Sequence, residues 1–384
     1  MLNRIVVFTC FFLGFLCISA VKAEASDLTV SAESAIVMNA QTGEILFAKN
    51  PYEKRGMAST TKIMTSLLAV ESQKLQCATK AKASDVLVEG TSIGLKPDDV
   101  VTLDVLVKGM LLESGNDAAN VTATMLGPGK EKFVALMNKR AKELGMDSTC
   151  FKNPSGLPEE GHYSTAFDMA TLASFAISNK TFREYCSAKK LSVSYGSPER
   201  DATFYNHNRF LNIYDGALGI KTGFTKASGR CLVTAVEKDG AMLVAVTLNA
   251  RDDWNDHKKM YDYSFGRVKK VVVHFDCSAI KVPVVGADVK YANVKLSSPL
   301  LFFAQESFKS YKTVVYAPKF LYAGVSKNDY IGKIEIVNEK GRVIVSSYLY
   351  ATENVVQKVK VENEIPFYKK IINKFKEGLS KRQT

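Results

Sequence analysis

The sequence of 384 residues predicts an α+β chain. One domain has an antiparallel sheet with a helical insert, a small all-β domain follows, and an amphipathic helix ends the chain. Three observations carry this reading. Apolar strands around residues 35–48 and 215–248 flank a helix-period block over 103–180, so both ends of one domain complete a single sheet. From Ser278 to Thr352 the pattern changes to short alternating strands with no helix of useful length. From Asn363 to Thr384 a basic, one-sided apolar period takes over.

Taken in order, Arg4 precedes an apolar run from Ile5 to Val21, and Ala20-Val-Lys-Ala23 and Ala23-Glu-Ala25 supply small residues for cleavage. Residues 1–25 therefore read as a signal peptide and the chain as exported; an uncleaved anchor is the alternative. Ala35–Ala40 and Glu44–Ala48 form a hairpin around Gln41-Thr42-Gly43, and a buried helix opens near Ser59. Residues 75–103 are loop-rich. Helices are expected over Leu103–Glu113, from Asp117 through Thr124 with Ser114 or Asn116 as its cap, over Lys130–Leu144 and over Thr165–Asn179. Asp215–Gly223 is a glycine-rich strand, where close approach by a ligand or another backbone is expected. Arg230–Val236 and Met242–Leu248 are the next hairpin, turning at Lys238-Asp239-Gly240, and a helix spans about Asp252–Phe265. With a boundary near Asp276, the expected domains are 26–276, 277–362 and 363–384. In the last, Phe367, Ile371, Ile372, Phe375 and Leu379 share a face, while Lys369, Lys370, Lys374 and Lys376 lie towards the other. That pattern suits an anionic membrane surface; docking on the β domain is the alternative.

The net charge of +12 is spread along the chain, and no zinc-finger, RNA-recognition or basic-zipper pattern accompanies it. Nucleic acid is not an expected partner; an anionic membrane or cell-wall polymer is. Cys77, Cys150, Cys186, Cys231 and Cys277 follow the leader, an odd number without Cys-x-x-Cys spacing, and read mostly as small buried apolar residues. No metal-site spacing is present and no cofactor is expected.

Chemistry concentrates at three short motifs. Ser59-x-x-Lys62 opens the buried helix, so hydroxyl and amine share a face. A lysine kept neutral by burial or nearby cations can take the serine proton, and a helix start favours developing negative charge. Ser59 as a helix cap beside a solvated Lys62 is the competing reading, and Ser187-Ala-Lys-Lys190 repeats the spacing elsewhere. Ser114-Gly-Asn116 sits between helices, although Ser326-Lys-Asn328 has the same form. Lys221-Thr-Gly223 occurs once and ends the glycine-rich strand. Serine, lysine and Lys-Thr-Gly motifs in this order and context are those of penicillin-recognising serine enzymes.

On these motifs, together with Met57–Thr65, Glu113–Ala119, Asn153–Leu157, His162–Ala166 and Gly219–Thr225, the chain resembles low-molecular-mass penicillin-binding proteins of the D-alanyl-D-alanine carboxypeptidase family. The resemblance implies a β-lactamase-like catalytic domain, a small β domain and an amphipathic C-terminal membrane anchor. It also implies removal of the terminal D-alanine from peptidoglycan stem peptides through an acyl-enzyme, with β-lactams as inhibitors. By that likeness Ser59 is the nucleophile and Lys62 its base, with Ser114 bridging the lysines and relaying the proton. Asn116 bonds the substrate peptide; Thr222 with Lys221 binds the terminal carboxylate, assisted by Arg209 or Arg251. Gly223 lets the peptide approach, and the Ser59 and Phe224 amides form the oxyanion site. His162 is expected to be structural. A β-lactamase or D,D-endopeptidase on the same scaffold, or a non-catalytic membrane-tethered wall-binding protein, are the alternatives.

Overall fold

A computed structural model describes residues 28–127, 129–357, 368, 369 and 371–374. The expected signal peptide and most of the C-terminal helix lie outside the described residues.

The first strand, β1 (Ser34–Asn39), is buried along its whole length. Its side chains alternate between two cores: Ile36 and Met38 face one, Ala35 and Val37 the other. It pairs with β2 (Ile45–Lys49). A 3-10 turn at Ala58–Thr61 leads into α1 (Lys62–Glu71), whose Ile63, Met64 and Leu67 are buried. Then come β3 (Ala78–Lys80), a short α2 (Ala83–Val86) and β4 (Val100–Thr102). The helical block is α3 (Leu103–Leu112), α4 (Asn116–Leu126), α5 (Lys130–Glu143), α6 (Ala166–Ser178) and α7 (Lys180–Ser187). A hairpin of β5 (Lys190–Gly196) and β6 (Glu199–Tyr205) and a short α8 (Phe210–Ile213) lead to β7 (Ala217–Thr225), β8 (Gly229–Lys238), β9 (Ala241–Leu248) and α9 (Asp253–Phe265).

The main sheet runs β2-β1-β9-β8-β7, antiparallel throughout, so the start and the end of the domain meet along β1 and β9. Helices cover both faces. The block containing α1, α3 and α6 buries one, and α9 with Phe210 and Tyr214 buries the other. Burial on both sides explains why these strands read as continuous apolar runs.

The second unit comprises β10 (Lys269–Val273), β11 (Val282–Val285), β12 (Tyr291–Ala292), β13 (Val294–Leu296), β14 (Leu300–Ala304), β15 (Tyr311–Tyr316), β16 (Leu321–Tyr322), β17 (Tyr330–Asn338) and β18 (Val343–Ala351). Its core holds Val282, Phe302, Ile334, Ile336 and Leu349. Strand β10 precedes Asp276, yet it pairs with β14, and its Val271 and Val273 pack on this core. The turn between β1 and β2 is gripped by the β unit. Asn39 donates to Phe303 O (2.7 Å), Gln305 N to the Glu44 carboxylate (3.0 Å), and Asn338 to Thr42 O (3.1 Å).

Candidate functional site

Two structural facts bring Ser59 to the surface and Lys62 beneath it. Ala58 has a positive φ of 47°, an uncommon conformation for a residue with a side chain, and it turns the chain sharply into the 3-10 segment. One turn later Lys62 is wholly buried at the start of α1. Its Nζ lies 3.0 Å from Ser59 Oγ, 2.7 Å from Asn116 Oδ1 and 2.7 Å from Ser155 O. Ser59 is not the cap of α1, a position held by Thr61, and Lys62 is not solvated.

The proton arrangement follows from counting donors. Asn116 Nδ2 donates to Glu89 O at 2.6 Å, so its Oδ1 is the atom turned to Lys62. Asn116 Oδ1 and Ser155 O can only accept. A neutral amine has two N–H groups and one lone pair. In the neutral form the two hydrogens go to those oxygens and the lone pair is left for the Ser59 hydroxyl; in the ammonium form the third N–H donates to Ser59 Oγ. Burial pulls the Lys62 pKa well below its usual value, the Lys221 charge pulls it further, and Asp117 partly opposes them.

Lys221 on β7 is also buried, and burial lowers its pKa to about 7. Its Nζ donates to Thr222 O at 3.0 Å. Ser114 has a positive φ of 63° between α3 and α4. Among the described residues no hydrogen bond joins its hydroxyl to either lysine, so the bridging arrangement implied by the resemblance is not formed here. The expected cap is also absent: Gly115 occupies the cap position of α4, with no side-chain cap bond. Asn116 is instead turned onto Lys62.

Ser59, Ser114, Asn116, Thr222, Gly223 and Phe224 line one groove of about 490 Å³, with the two lysines behind its wall. Arg209 also lines it, whereas Arg251 does not. The close approach at Gly223 is made by protein. A Cβ there would lie 3.1 Å from both Ser59 N and Thr60 N, so the strand abuts the Ser59 turn. Phe224 is 65% exposed at the rim.

Several contributors carry no side-chain signature. The Ser155 carbonyl depends on a loop in which Asn153 Oδ1 accepts from Gly156 N at 2.7 Å. Gly156 has φ +88°, and a Cβ there would meet Ala58 O at 1.9 Å. The opposite wall is tied down by Asp117, which is buried and accepts from Ser92 Oγ (2.6 Å), Ile93 N (3.0 Å) and Leu95 N (3.1 Å). Thr91 and Trp254 also line the groove, and sequence reasoning did not single them out. His162 Nδ1 accepts from Lys152 N (3.0 Å), which leaves Nε2 to donate to Thr61 Oγ1 (2.9 Å). Burial lowers its pKa to about 4, so it is a neutral clamp between α1 and the 152–162 loop. Among the described residues no cluster of ligand side chains could hold a metal ion.

Comparison with known proteins gives the family. The family described as D-alanyl-D-alanine carboxypeptidase matches residues 20–252. The D-alanyl-D-alanine carboxypeptidase DacF of Bacillus subtilis is 32% identical over 346 residues, covering 86% of this chain and 87% of its own. The crystal structure of the D-alanyl-D-alanine carboxypeptidase DacD from Francisella tularensis superposes with a TM-score of 0.61 at 25% identity, covering 87% of this chain and 95% of that one. A D-alanyl-D-alanine carboxypeptidase structure from Mycobacterium tuberculosis gives a TM-score of 0.59 at 30% identity, over 63% of this chain and 95% of the other. The chain belongs to the D-alanyl-D-alanine carboxypeptidase family, with a serine hydrolase's catalytic domain joined to a small β domain.

Proposed function

We propose that the enzyme removes the terminal D-alanine from peptidoglycan stem peptides, with Ser59 as the nucleophile. The observation that carries this assignment is the buried, pKa-depressed Lys62 placed 3.0 Å from Ser59 Oγ. Ser59 Oγ attacks the carbonyl carbon of the penultimate D-alanine as its proton passes to Lys62 Nζ. The amides of Ser59 and Phe224 receive the oxyanion, a contribution typically of several kcal/mol. The C–N bond breaks, and free D-alanine leaves with the proton from Lys62; Ser114, which lines the groove, relays it once its hydroxyl has turned towards the amine. Water then attacks the ester carbonyl as its proton passes to Lys62; the C–O bond to Ser59 breaks, Lys62 returns that proton to Ser59 Oγ, and the shortened peptide leaves. Asn116, besides orienting Lys62, bonds the substrate's peptide group through its amide. Thr222, Lys221 and Arg209 hold the terminal carboxylate. β-Lactams enter the same groove and acylate Ser59.

Residues 1–25 are proposed to direct export, and residues 363–384 to hold the enzyme on the outer face of an anionic membrane. The +12 charge and the one-sided apolar pattern of the tail support this reading. Among the described residues no helix is long and apolar enough to cross a membrane. The pairing of β10 with β14 supports placing the change from catalytic to β domain ahead of Asp276.

The test pairs fluorescent-penicillin labelling with release of D-alanine from a pentapeptide. Wild type should label and release D-alanine; Ser59→Ala should do neither. Equal labelling of the variant removes the assignment of Ser59. Rapid loss of label would favour a β-lactamase, and cleavage of cross-linked dimers an endopeptidase.

A further inference from the structure

The small sheet β12-β11-β16 has one face buried and one bare. Val282 pairs with Ala292 and Pro283 with Tyr291; Val284 N then donates to Lys290 O at 3.0 Å, which sets Val285 opposite Val289. On the other side Val284 pairs with Leu321 and Val285 with Tyr322 in parallel. Side chains alternate across a sheet, so Pro283, Val285, Val289, Tyr291, Phe320 and Tyr322 share a face. All six are exposed, Tyr322 by 70%. The opposite face carries Val282 and Leu321 into the β-domain core, and Ala292 beside Val282 is buried. Phe320 and Tyr322 meet edge to face with centroids 5.4 Å apart. An apolar plate of this kind marks an interaction surface.

We infer that this face is a lipid-binding surface that seats the β domain on an anionic bilayer, separately from the C-terminal helix. Three features point to lipid. The aromatic side chains Tyr291, Phe320 and Tyr322 suit the boundary between acyl chains and headgroups. Lys281 has the parity of this face, and the exposed Lys290 and Lys319 flank it from neighbouring positions; with Asp288 the one acid across 281–292 and 319–323, the local charge favours anionic headgroups. The face also adjoins the root of the tail, because Ala287 bridges to Gln357, the last described residue before residue 368. Tyr368, Ile371 and Ile372 in the tail's described turn are themselves exposed, so these residues do not cover the face.

The inference rests on the chain acting at an extracytoplasmic membrane surface, and the experiment separates its failure from failure of the tail assignment. The chain from residue 26 onward is sedimented with phosphatidylglycerol–phosphatidylethanolamine vesicles and with phosphatidylcholine vesicles. Val285→Ser/Phe320→Ser/Tyr322→Ser alters the face, and Ile371→Asp/Ile372→Asp alters the tail. The face variant should lose about tenfold in partitioning to anionic vesicles while keeping its rate of penicillin labelling. The same loss should appear on the tail-variant background. Unchanged partitioning of the face variant overturns the inference, even where the tail variant is released. A tail variant that binds normally leaves the face standing and sinks only the tail assignment. Two further results overturn the inference in favour of another occupant, provided vesicle binding is unchanged. Conversion of a dimer to a monomer by the face substitutions indicates a second copy, and new protease sensitivity of residues 358–384 indicates the tail helix.

Discussion

Lys62 Nζ and Asn116 Oδ1 lie 2.7 Å apart, and the Asn116 amide is anchored at its far end by Glu89 O. This pairing directs one N–H of the amine away from Ser59, so that in the neutral form the lone pair is left for the hydroxyl. Asn116→Asp tests it. A carboxylate at that position favours the ammonium form of Lys62 and raises its pKa. Penicillin acylation at neutral pH should fall on the order of 10²-fold, with partial recovery as pH rises. Asn116→Ala should lose rate without that recovery. Stopped-flow labelling across pH separates the two.

The two buried lysines set opposite limbs of the pH profile. Below the Lys62 pKa the base is protonated and the rate falls. Above about 7 the free enzyme loses the Lys221 ammonium that would hold the carboxylate. The kcat/KM profile should therefore be bell-shaped, with its alkaline limb near 7. A bound carboxylate favours the ammonium, so the alkaline limb of kcat should lie at higher pH than that of kcat/KM. Initial rates on a D-Ala-D-Ala peptide over pH 5–10 measure both.

Lys221 also costs stability. Its folded pKa of about 7 is below the unfolded lysine value of about 10.4, so between these pH values the unfolded chain binds the extra proton. Stability from this group rises as pH climbs through that window. Lys221→Met should be inactive or nearly so, yet melt about 2–4 °C higher at pH 7, with the gain shrinking towards pH 10. Calorimetry at pH 7 and 10 reads the difference.

His162 and His257 act in the acid range. Burial lowers their pKa values to about 4 and about 3, so both are neutral in the fold and protonate on unfolding below about 6.5. Stability should fall as pH drops from 6.5 towards 4, by roughly 2 kcal/mol per histidine at pH 5. His257 is held between Thr234 Oγ1 (2.7 Å) and Thr247 Oγ1 (3.0 Å). Its conservative variant His257→Gln should flatten part of that slope in urea titrations at pH 5 and 7, without moving the labelling profile.

Gly223→Ala probes the contact between β7 and the Ser59 turn. The added Cβ at 3.1 Å from two amide nitrogens forces a shift of a few tenths of an ångström. Destabilisation should be modest, about 1–3 kcal/mol, while the acylation rate falls by one to two orders of magnitude. A change in Tm without a change in acylation would show that the contact does not position the nucleophile.

What was readable in the chain depended on burial. Helices α3, α5 and α6 and strands β1, β8 and β9 each carry an apolar pattern and lie near their expected bounds. Helix α7 escaped because only Phe182 and Cys186 are buried in it, and the β5–β6 hairpin because its side chains are mostly exposed. The serine, lysine and asparagine of the groove could be located from motifs. The Ser155 and Glu89 carbonyls that orient them could not, because any residue supplies a carbonyl and only the path of the loop aims it. Local pattern offers Asn116 or Ser114 as the cap, and the resemblance gives Asn116 to the substrate's peptide group; neither reveals that a buried amine 54 positions earlier in sequence takes its oxygen.

The seating of β1 between β2 and β9 constrains the order in which the polypeptide acquires its native state. Ser34 is matched with Leu248, so the opening strand has one neighbour at hand and must wait for the other until nearly the whole catalytic domain has been made. Such non-local closure makes folding slow and keeps early segments open. A chain that delays its own completion in this way remains threadable through a narrow pore until β9 has been made.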